Sequence, residues 1–439
     1  MNDYTTAVKY AMIFFMVTMA IEWLAGKFLK KEIYRPMDTI SSISSGMTNN
    51  IKSILKLSVV IISYQWMYDH LSITKIGTSW PVYIIAFIGI DFAYYWTHRW
   101  NHEYNILWNK HIIHHSSEEY NLACALRQSI SDVVQIYFFL YLPMAIIGIS
   151  PKVISILLPL HLFAQFWYHT RLIGKMGFLE KIIVTPSHHR VHHAINEKYI
   201  DKNYSSIFIF WDFIFGTFQE EIHEEPPVYG IKKPARTWNP ILINYMHITQ
   251  LIKDAFRTKK WIDKFKIWFM PTGWRPNDVI NSHPIQIINN PFEYEKYKTK
   301  KDPFLITWSS LQLAIHLAMQ FHLIYLISYL KIDLNFNYLG LKEIIIQYQL
   351  FLSYGLFFLL SVWSYTSLMD RSSFSLFMNI LKTITGFLIV HNYPEVLNIY
   401  DGIYIPDYII YGYFLSSLFI NLFYQFIFIK EKKELSLLS

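Results

Sequence analysis

The chain of 439 residues is poor in cysteine and in charged side chains. Its one cysteine, Cys124, excludes an intramolecular disulfide framework and any zinc or iron–sulfur site built from cysteines. We expect Cys124 to be a small packed residue. Charged residues make up 16% of the chain, whereas soluble proteins carry about 25%. Because 53% of the residues are hydrophobic, the composition predicts a membrane-embedded protein.

The net charge of +7 does not indicate a nucleic-acid-binding protein. The basic residues lie between long apolar runs, where a cytoplasmic bias of positive charge and contact with anionic lipids explain them. We therefore expect a membrane as partner and no nucleic acid.

Nine apolar, aromatic-rich runs predict an all-α, polytopic membrane protein with about nine transmembrane or membrane-embedded helices. Several early runs are short for a spanning helix, so we expect some of them to tilt or to lie half-buried. The runs are Tyr10–Leu24, Ile54–Tyr68, Trp80–Trp96, Val133–Ile149, Val153–Tyr168, Phe304–Leu330, Ile344–Trp363, Phe374–His391 and Tyr408–Ile429.

Eight histidines fall into three clusters with metal-ligand spacing. The clusters are His98 with His102, then His111, His114 and His115, then His189, His192 and His193. Residues three and four apart lie on one face of a helix, so each cluster would present its imidazoles together. Thr185 before Pro186 predicts a helix start just ahead of the third cluster.

Eight imidazoles are too many for one ion, so the clusters predict two metal ions with positions left open for O2 or water. Imidazole suits zinc, copper, iron and nickel, so the ligands alone do not select the metal. His169, at the end of the fifth run, is a candidate ninth ligand or a donor to one, and His161 inside that run is the weaker candidate. His188 lies beside the third cluster but off its face.

Acidic residues near the clusters are candidate catalytic or supporting groups, because a ligating imidazole usually donates its other N–H to a carboxylate or carbonyl. Asp91, one helical face before His98, and Glu103, directly after His102, are the preferred two. A surface or capping role explains each of them equally well. The further candidates are Glu118, Glu119, Asp201 and Asp212.

Basic residues predict the orientation of the chain. If residues 27–35 are cytoplasmic, the segments 98–129, 170–302, 367–372 and 430–439 lie on the same side and carry most of the lysines and arginines. The positive-inside rule then places every histidine cluster in a cytoplasmic cap. This predicts the endoplasmic reticulum membrane in a eukaryote and the inner (cytoplasmic) membrane in a bacterium.

Residues 259–269 mix lysines with aromatic residues at roughly helical spacing. The pattern is typical of a helix that lies in the membrane interface. A solvated helix that packs its aromatic side on the cytoplasmic cap explains it equally well.

The order of the three clusters resembles that of the fatty acid hydroxylase / sterol desaturase superfamily of membrane di-iron enzymes. The flanking sequence is similar to the alkylglycerol monooxygenase family within it, and the similarity is dense from about residue 85 to 275. The segments that carry it include Asp91–Trp96, His114–Asn121, Thr185–His193 and Trp211–Phe218.

This resemblance implies two iron ions bound by the eight clustered histidines, and it places the family's acid after the first cluster at Glu103. Members of the family use tetrahydrobiopterin and O2 to hydroxylate the carbon next to the ether oxygen of an alkylglycerol, which releases a fatty aldehyde and a glycerol derivative. The chain has no G-x-G-x-x-G fingerprint and no His-Pro-Gly-Gly haem motif. Electrons would therefore come from a diffusible reductant or a separate redox partner.

These features divide the chain into four segments. They are N-terminal transmembrane helices (1–80), a fatty acid hydroxylase-like catalytic core (81–230), a cytoplasmic or interfacial segment (231–302) and C-terminal transmembrane helices (303–439).

Two other functions share these features. A sterol, fatty-acyl or carotenoid hydroxylase or desaturase with an external redox chain would have the same histidine clusters. A metal transporter would use cytoplasmic histidines for gating, and Lys382 with the two histidines of the sixth run would suit it. Transport sites usually lie near the bilayer midplane, however, whereas these clusters lie at the ends of runs.

Overall fold

The structure is a computed structural model that describes residues 2–330, 341–400 and 402–438. Within these ranges the chain is mostly helical, as the sequence predicts, with two small two-stranded sheets. Residues 331–340, between the sixth and seventh predicted runs, lie outside the described residues.

The described helices begin and end as follows: α1 (Asn2–Phe28), α2 (Pro36–Ile54), α3 (Tyr64–Leu71), α4 (Trp80–Glu103), α5 (Asn105–Trp108), α6 (Ile112–His115), α7 (Leu142–Ile146), α8 (Pro151–Phe163), α9 (Pro186–His192), α10 (Phe210–Ile214), α11 (Pro240–Arg257), α12 (Trp261–Lys266), α13 (Asn277–Ser282), α14 (Pro303–Tyr329), α15 (Leu341–Met369), α16 (Phe374–Asn392) and α17 (Asp407–Leu438). Strands β1 (Val59–Val60) and β2 (Val134–Gln135) pair in parallel, and β3 (Asn398–Tyr400) pairs antiparallel with β4 (Ile403–Tyr404).

Among the described residues, four helices are long and apolar enough to cross a membrane. They correspond to the last four predicted runs, so the chain has the composition of a membrane protein, but the predicted number of nine is not confirmed. The four segments are Pro303–Tyr329, Tyr348–Met369, Phe374–Asn392 and Asp407–Glu431.

The second and fourth predicted runs are interrupted in the structure. Helix α2 ends at Ile54, and the next residues form β1, where the amide of Val59 donates to the carbonyl of Val133 at 2.7 Å. Helix α3 then starts after Ser63, whose hydroxyl accepts from the Trp66 amide at 3.1 Å. Hydropathy predicts burial in either secondary structure, so it did not reveal these breaks in the helices.

Helix α2 joins the spanning helices to the histidine-bearing part of the chain. Its apolar residues, among them Met47 and Ile51, share a hydrophobic core with residues of α11, α14 and α15. Four of its serines and Thr48 are buried as well. Gly46 lies against the segment that follows α6, because a Cβ at this position would be 2.7 Å from the Leu126 carbonyl oxygen.

The ends of three spanning helices meet the polar segment 231–302. After α15, the Asp370 carboxylate accepts from the Trp238 amide at 2.7 Å and from the Tyr297 hydroxyl at 3.1 Å. Glu431 of α17 pairs with Lys300, just before α14, at 2.7 Å and with Arg371 before α16. The predicted same-side segments around residues 300, 370 and 431 therefore lie at one end of the bundle.

Candidate metal centre

The structure brings nine histidines together from four places in the chain. His98 and His102 lie in the last two turns of α4, the second cluster surrounds α6, and the third lies in and directly after α9. Pro186 begins α9 after Thr185, as the sequence predicts. The ninth histidine, His169, follows α8.

The nine imidazoles form two groups. Within each group the candidate ligand nitrogens all lie within 4.8 Å of one another. The five-histidine group consists of His98, His102, His111, His115 and His192, and the four-histidine group consists of His114, His169, His189 and His193.

Residues four apart always share a group. The pairs are His98–His102, His111–His115 and His189–His193. The remaining member of each longer cluster, His114 or His192, crosses to the other group. The two groups are therefore interleaved, and substitution of one cluster would disturb both.

Hydrogen bonds orient several imidazoles through their outer nitrogens. His98 Nδ1 donates to the Tyr204 carbonyl at 2.8 Å, and His192 Nδ1 donates to the Lys202 carbonyl at 2.9 Å. A carbonyl oxygen can only accept, so Nδ1 carries the proton and Nε2 presents a lone pair. Both Nε2 atoms point at further histidine nitrogens, at 3.0 Å from His111 and 3.1 Å from His115.

The hydrogen bonds of the four-histidine group indicate whether its nitrogens are free to bind a metal ion. His114 Nδ1 donates to the Arg127 carbonyl at 3.2 Å, and His169 Nδ1 donates to the Gln165 carbonyl at 3.0 Å. Their Nε2 atoms, both without a proton, face each other at 3.4 Å. Two lone pairs at this distance repel unless a cation binds between them, so the arrangement suits a metal ion.

Burial lowers the pKa of most of these histidines, which favours the neutral imidazole. It lowers the pKa of His98 and of His114 to about 3, and neighbouring imidazoles lower these pKa values further. The pKa values of His111, His115, His169, His189, His192 and His193 are lowered well below the usual range for the same reasons. A neutral imidazole is the form that binds metals. The Nε2 atom of His102 is also buried and has no hydrogen-bond partner in the described part of the chain.

A buried arginine fixes the carbonyl that orients His114. The Arg127 guanidinium contacts Asp38 Oδ2 at 3.1 Å, Ser116 Oγ at 2.8 Å and Ser42 Oγ at 2.8 Å. Asp38 and Ser42 belong to α2, far away in the sequence. No local spacing in the sequence links α2 to the second cluster, so this support leaves no signal in the sequence.

The preferred acidic residues have no hydrogen bond to the nine histidines. Asp91 is fully buried, and its carboxylate accepts from His161 Nε2 at 2.7 Å, the Trp211 indole at 3.0 Å and the amides of Ile207 and Phe208. Glu103 accepts from Arg99 Nε at 2.8 Å. From the sequence, each of these acids is expected to accept directly from a ligating imidazole. Among the described residues, neither Asp91 nor Glu103 makes such a hydrogen bond.

The other acidic candidates divide into two sets. Asp201 Oδ1 lies 3.6 Å from His102 Nδ1. Asp212 acts on the backbone, because it accepts from the amides of Tyr204 and Ser205 at 2.8 and 2.9 Å. The remaining two, Glu118 and Glu119, hold residues 294–297, with Tyr294 donating to Glu118 at 2.6 Å and Lys296 to Glu119 at 2.6 Å.

Tyr204 is a site residue that the cluster spacing did not identify. Its ring centroid lies 5.9, 5.3 and 6.0 Å from those of His98, His102 and His192. Its side chain is buried, and its hydroxyl has no hydrogen-bond partner among the described residues. His188, by contrast, accepts from the Thr185 amide at 3.4 Å at the start of α9 and belongs to neither group.

Comparisons with known proteins agree on one family. The fatty acid hydroxylase family model matches residues 83–217, a range that contains all nine histidines. The ornithine lipid hydroxylase OlsE of Rhizobium tropici is 27% identical over 143 residues, which cover 32% of this chain and 43% of that protein. No solved structure matches the chain.

Two alkylglycerol monooxygenases match longer parts of the chain. The Homo sapiens protein is 40% identical over 271 residues, 61% of this chain and 60% of its own length. The Xenopus tropicalis protein is 34% identical over 325 residues, 73% of this chain and 72% of its own length. The chain therefore belongs to the alkylglycerol monooxygenase family.

Proposed function

We propose that this protein is an O2-dependent, non-haem di-iron monooxygenase of ether lipids. It hydroxylates the carbon next to the ether oxygen of an alkylglycerol lipid, and the product breaks down to a fatty aldehyde and a glycerol derivative. The observation that carries the proposal is the convergence of nine imidazoles in two groups. Family membership, through relatives named for this activity, supports the substrate class.

In this proposal, the five-histidine and four-histidine groups hold one iron ion each. The iron ions would supply the activation of O2 for attack on a C–H bond. The chain's own part is to keep the imidazoles neutral, oriented and away from bulk water. The carbonyls of Tyr204, Lys202, Arg127 and Gln165 perform the orientation, since each accepts from the outer nitrogen of one histidine.

Asp91 and Glu103 are proposed as positioning residues. Asp91 holds the amides of Ile207 and Phe208, which follow Tyr204 in the same loop. Glu103 holds Arg99, whose Nη1 donates to the Tyr95 hydroxyl at 3.3 Å. The Tyr95 hydroxyl forms a hydrogen bond with the Thr217 hydroxyl, which donates to the Asp212 carboxylate. The same carboxylate accepts from the Tyr204 amide. Both acids thus support the carbonyl that orients His98.

By family resemblance, the proposed reductant is tetrahydrobiopterin. The nine predicted runs are proposed as transmembrane or membrane-embedded. Apolar residues exposed on α1 and α4, such as Phe14, Ile21 and Ile85, support lipid contact beyond the four spanning helices.

The basic segments that meet at one end of the bundle support a cytoplasmic metal centre. The membrane would be the endoplasmic reticulum in a eukaryote or the inner membrane in a bacterium.

Turnover of a labelled alkylglycerol by membranes containing the protein, with and without tetrahydrobiopterin, tests the proposal. We expect fatty aldehyde release that requires both O2 and the pterin, and that is lost in His193→Ala. His223→Ala is the control, because His223 is exposed and lies outside both groups. Pterin-independent oxidation of a sterol or fatty-acyl lipid by the same membranes would instead favour the other chemistry of the superfamily.

A further inference from the structure

One side of the segment 240–269 is apolar and uncovered. Its exposed residues follow the helical repeat along α11 and continue onto α12. They are Leu242, Tyr245, Ile252, Phe256, Trp261, Ile262, Phe265 and Phe269, and we call this set the α11–α12 face. Phe256 is 82% exposed, Trp261 74% and Phe269 69%. Aromatic side chains are rarely left so open in a water-facing helix.

The exposure of the aromatic side chains favours the interfacial interpretation of residues 259–269. A solvated helix would have packed its aromatic residues on the cap. Instead Ile267 is the fully buried residue of this stretch, while Trp261 and Phe265 remain 74% and 64% exposed. The aromatic side of α12 therefore faces away from the part of the chain that the structure describes.

Basic residues border the α11–α12 face, while the nearby Asp254 and Asp278 are held by partners within the protein. The exposed cations are Lys253, Arg257, Lys259, Lys260 and Lys266. Asp254 is fully buried and pairs with Arg275 at 2.6 Å. Asp278 accepts from the Lys259 amide at 2.9 Å and from the Thr258 hydroxyl. An apolar aromatic centre with a cationic border is complementary to a bilayer surface that contains anionic lipid.

The start of α11 lies beside the end of the spanning helix α15, where that helix would leave the membrane. Asn239, which caps the start of α11, donates to Ser367 Oγ at 2.9 Å near the end of the spanning helix α15. The neighbouring Trp238 amide donates to Asp370, one residue beyond that helix. Helix α11 has 18 residues, so it extends about 27 Å from this point.

We propose that the α11–α12 face is a bilayer-docking surface that inserts its aromatic residues among anionic lipid headgroups. The docked segment is bonded to the end of the first histidine cluster. The Thr272 amide donates to the Glu103 carbonyl at 3.0 Å, and the Thr272 hydroxyl donates to the His102 carbonyl. The Ile106 amide also donates to the Trp268 carbonyl at 3.0 Å. Docking therefore fixes the metal centre at the depth from which a lipid approaches.

A single-site fluorescent label tests the docking surface independently of any reaction. Cys124 is 1% exposed and should not react with a thiol reagent. A Phe265→Cys variant can then carry one environment-sensitive fluorophore, with Ile262→Cys as a second position on the face. Lys198→Cys is the matched control, because the Lys198 side chain is 64% exposed in a different part of the chain.

The labelled protein is studied in nanodiscs that hold one chain each, with brominated acyl chains as quenchers. We expect labels at 262 and 265 to emit at shorter wavelength than the label at 198 and to lose most of their emission to the bromines. Replacing phosphatidylcholine with phosphatidylglycerol should strengthen the quenching, and Lys259→Glu/Lys260→Glu/Lys266→Glu should abolish this lipid dependence.

Two results would overturn the proposal. One is that the labels at positions 262 and 265 show the same emission and the same lack of quenching as the control label at 198 in every lipid. The other is a shift that appears only in discs holding two chains, which would identify the face as a contact between copies.

Discussion

Single residues orient the metal centre mainly through backbone carbonyls. His98, His114, His169 and His192 each donate Nδ1–H to a carbonyl, and Asp201 is the one acidic candidate from the sequence that lies beside one of the nine described histidines. Acidic side chains such as Asp91 act one step away, by holding the loops that supply those carbonyls. Their substitution should therefore affect stability first and the metal centre through it.

Asp91 and His161 form a fully buried pair, with 2.7 Å between carboxylate and Nε2. Asp91→Ala leaves the buried His161 and three partly buried donors without an acceptor. A buried unsatisfied group costs about 1–3 kcal/mol, so we expect a large fall in melting temperature. His161→Ala should cost less alone and little more in the Asp91→Ala background, because the pair is already broken there. Thermal unfolding of the two single variants and the double variant measures this. Strictly additive losses would contradict the coupling.

The Tyr204 hydroxyl is buried beside three histidines and finds no hydrogen-bond partner within the residues that the structure describes. Its removal sacrifices no hydrogen bond, so Tyr204→Phe should keep or slightly raise the melting temperature and should retain iron, while turnover falls. Tyr199→Phe is the control, because the Tyr199 hydroxyl donates to the Glu225 carbonyl at 2.7 Å and accepts from the Ile222 amide at 2.9 Å. That variant should lose stability. Unchanged turnover in Tyr204→Phe would show that its hydroxyl serves packing alone.

At the scale of elements, the sequence predicts which histidines lie on a common face but not how the faces combine. The four-residue spacing of His111 and His115, or of His189 and His193, correctly indicates neighbours within one group. The assignment of His114 to the opposite group depends on where the short helix α6 meets α9, and on His169 from outside any cluster. Such contacts between distant segments leave no periodic pattern in the sequence.

Helix α2 carries a test of this element packing. A Cβ on Gly46 would lie 2.7 Å from the Leu126 carbonyl oxygen, so Gly46→Ala must displace Leu126. Leu126 is followed by Arg127, whose carbonyl orients His114. We expect a loss of about 1–3 kcal/mol from overpacking, together with reduced iron content. Gly412→Ala in α17 is the matched control, because nothing lies within 4 Å of its added Cβ. Equal behaviour of the two variants would refute close packing at Gly46.

At the scale of the whole molecule, hydropathy identified the spanning helices of the second half better than the helices of the first. The C-terminal runs are continuous helices, whereas the N-terminal part breaks at residues such as Lys56, with a φ of 50°, and Gly148, with a φ of 86°. A Cβ on Gly148 would lie 1.8 Å from the Thr74 carbonyl oxygen. These close approaches between segments terminate helices inside apolar sequence, and composition does not report them.

The proposed orientation predicts which parts of the molecule face each side of the membrane. A thiol introduced in the β3–β4 hairpin, at Tyr404→Cys, should react with a membrane-impermeant maleimide added to intact cells or, in a eukaryote, to the lumenal side. A thiol at Lys198→Cys should react only from the cytoplasmic side. Both positions are exposed, at 61% and 64%, and Cys124 is buried. The opposite labelling pattern would reverse the proposed topology.

The metal content of the purified protein distinguishes a di-iron centre from a single-metal or zinc site. Two histidine groups predict about two iron ions per chain, with roughly one lost in His102→Ala of the five-histidine group and in His193→Ala of the four-histidine group. His223→Ala should retain both. One ion per chain, zinc in place of iron, or full retention in both group variants would contradict the account.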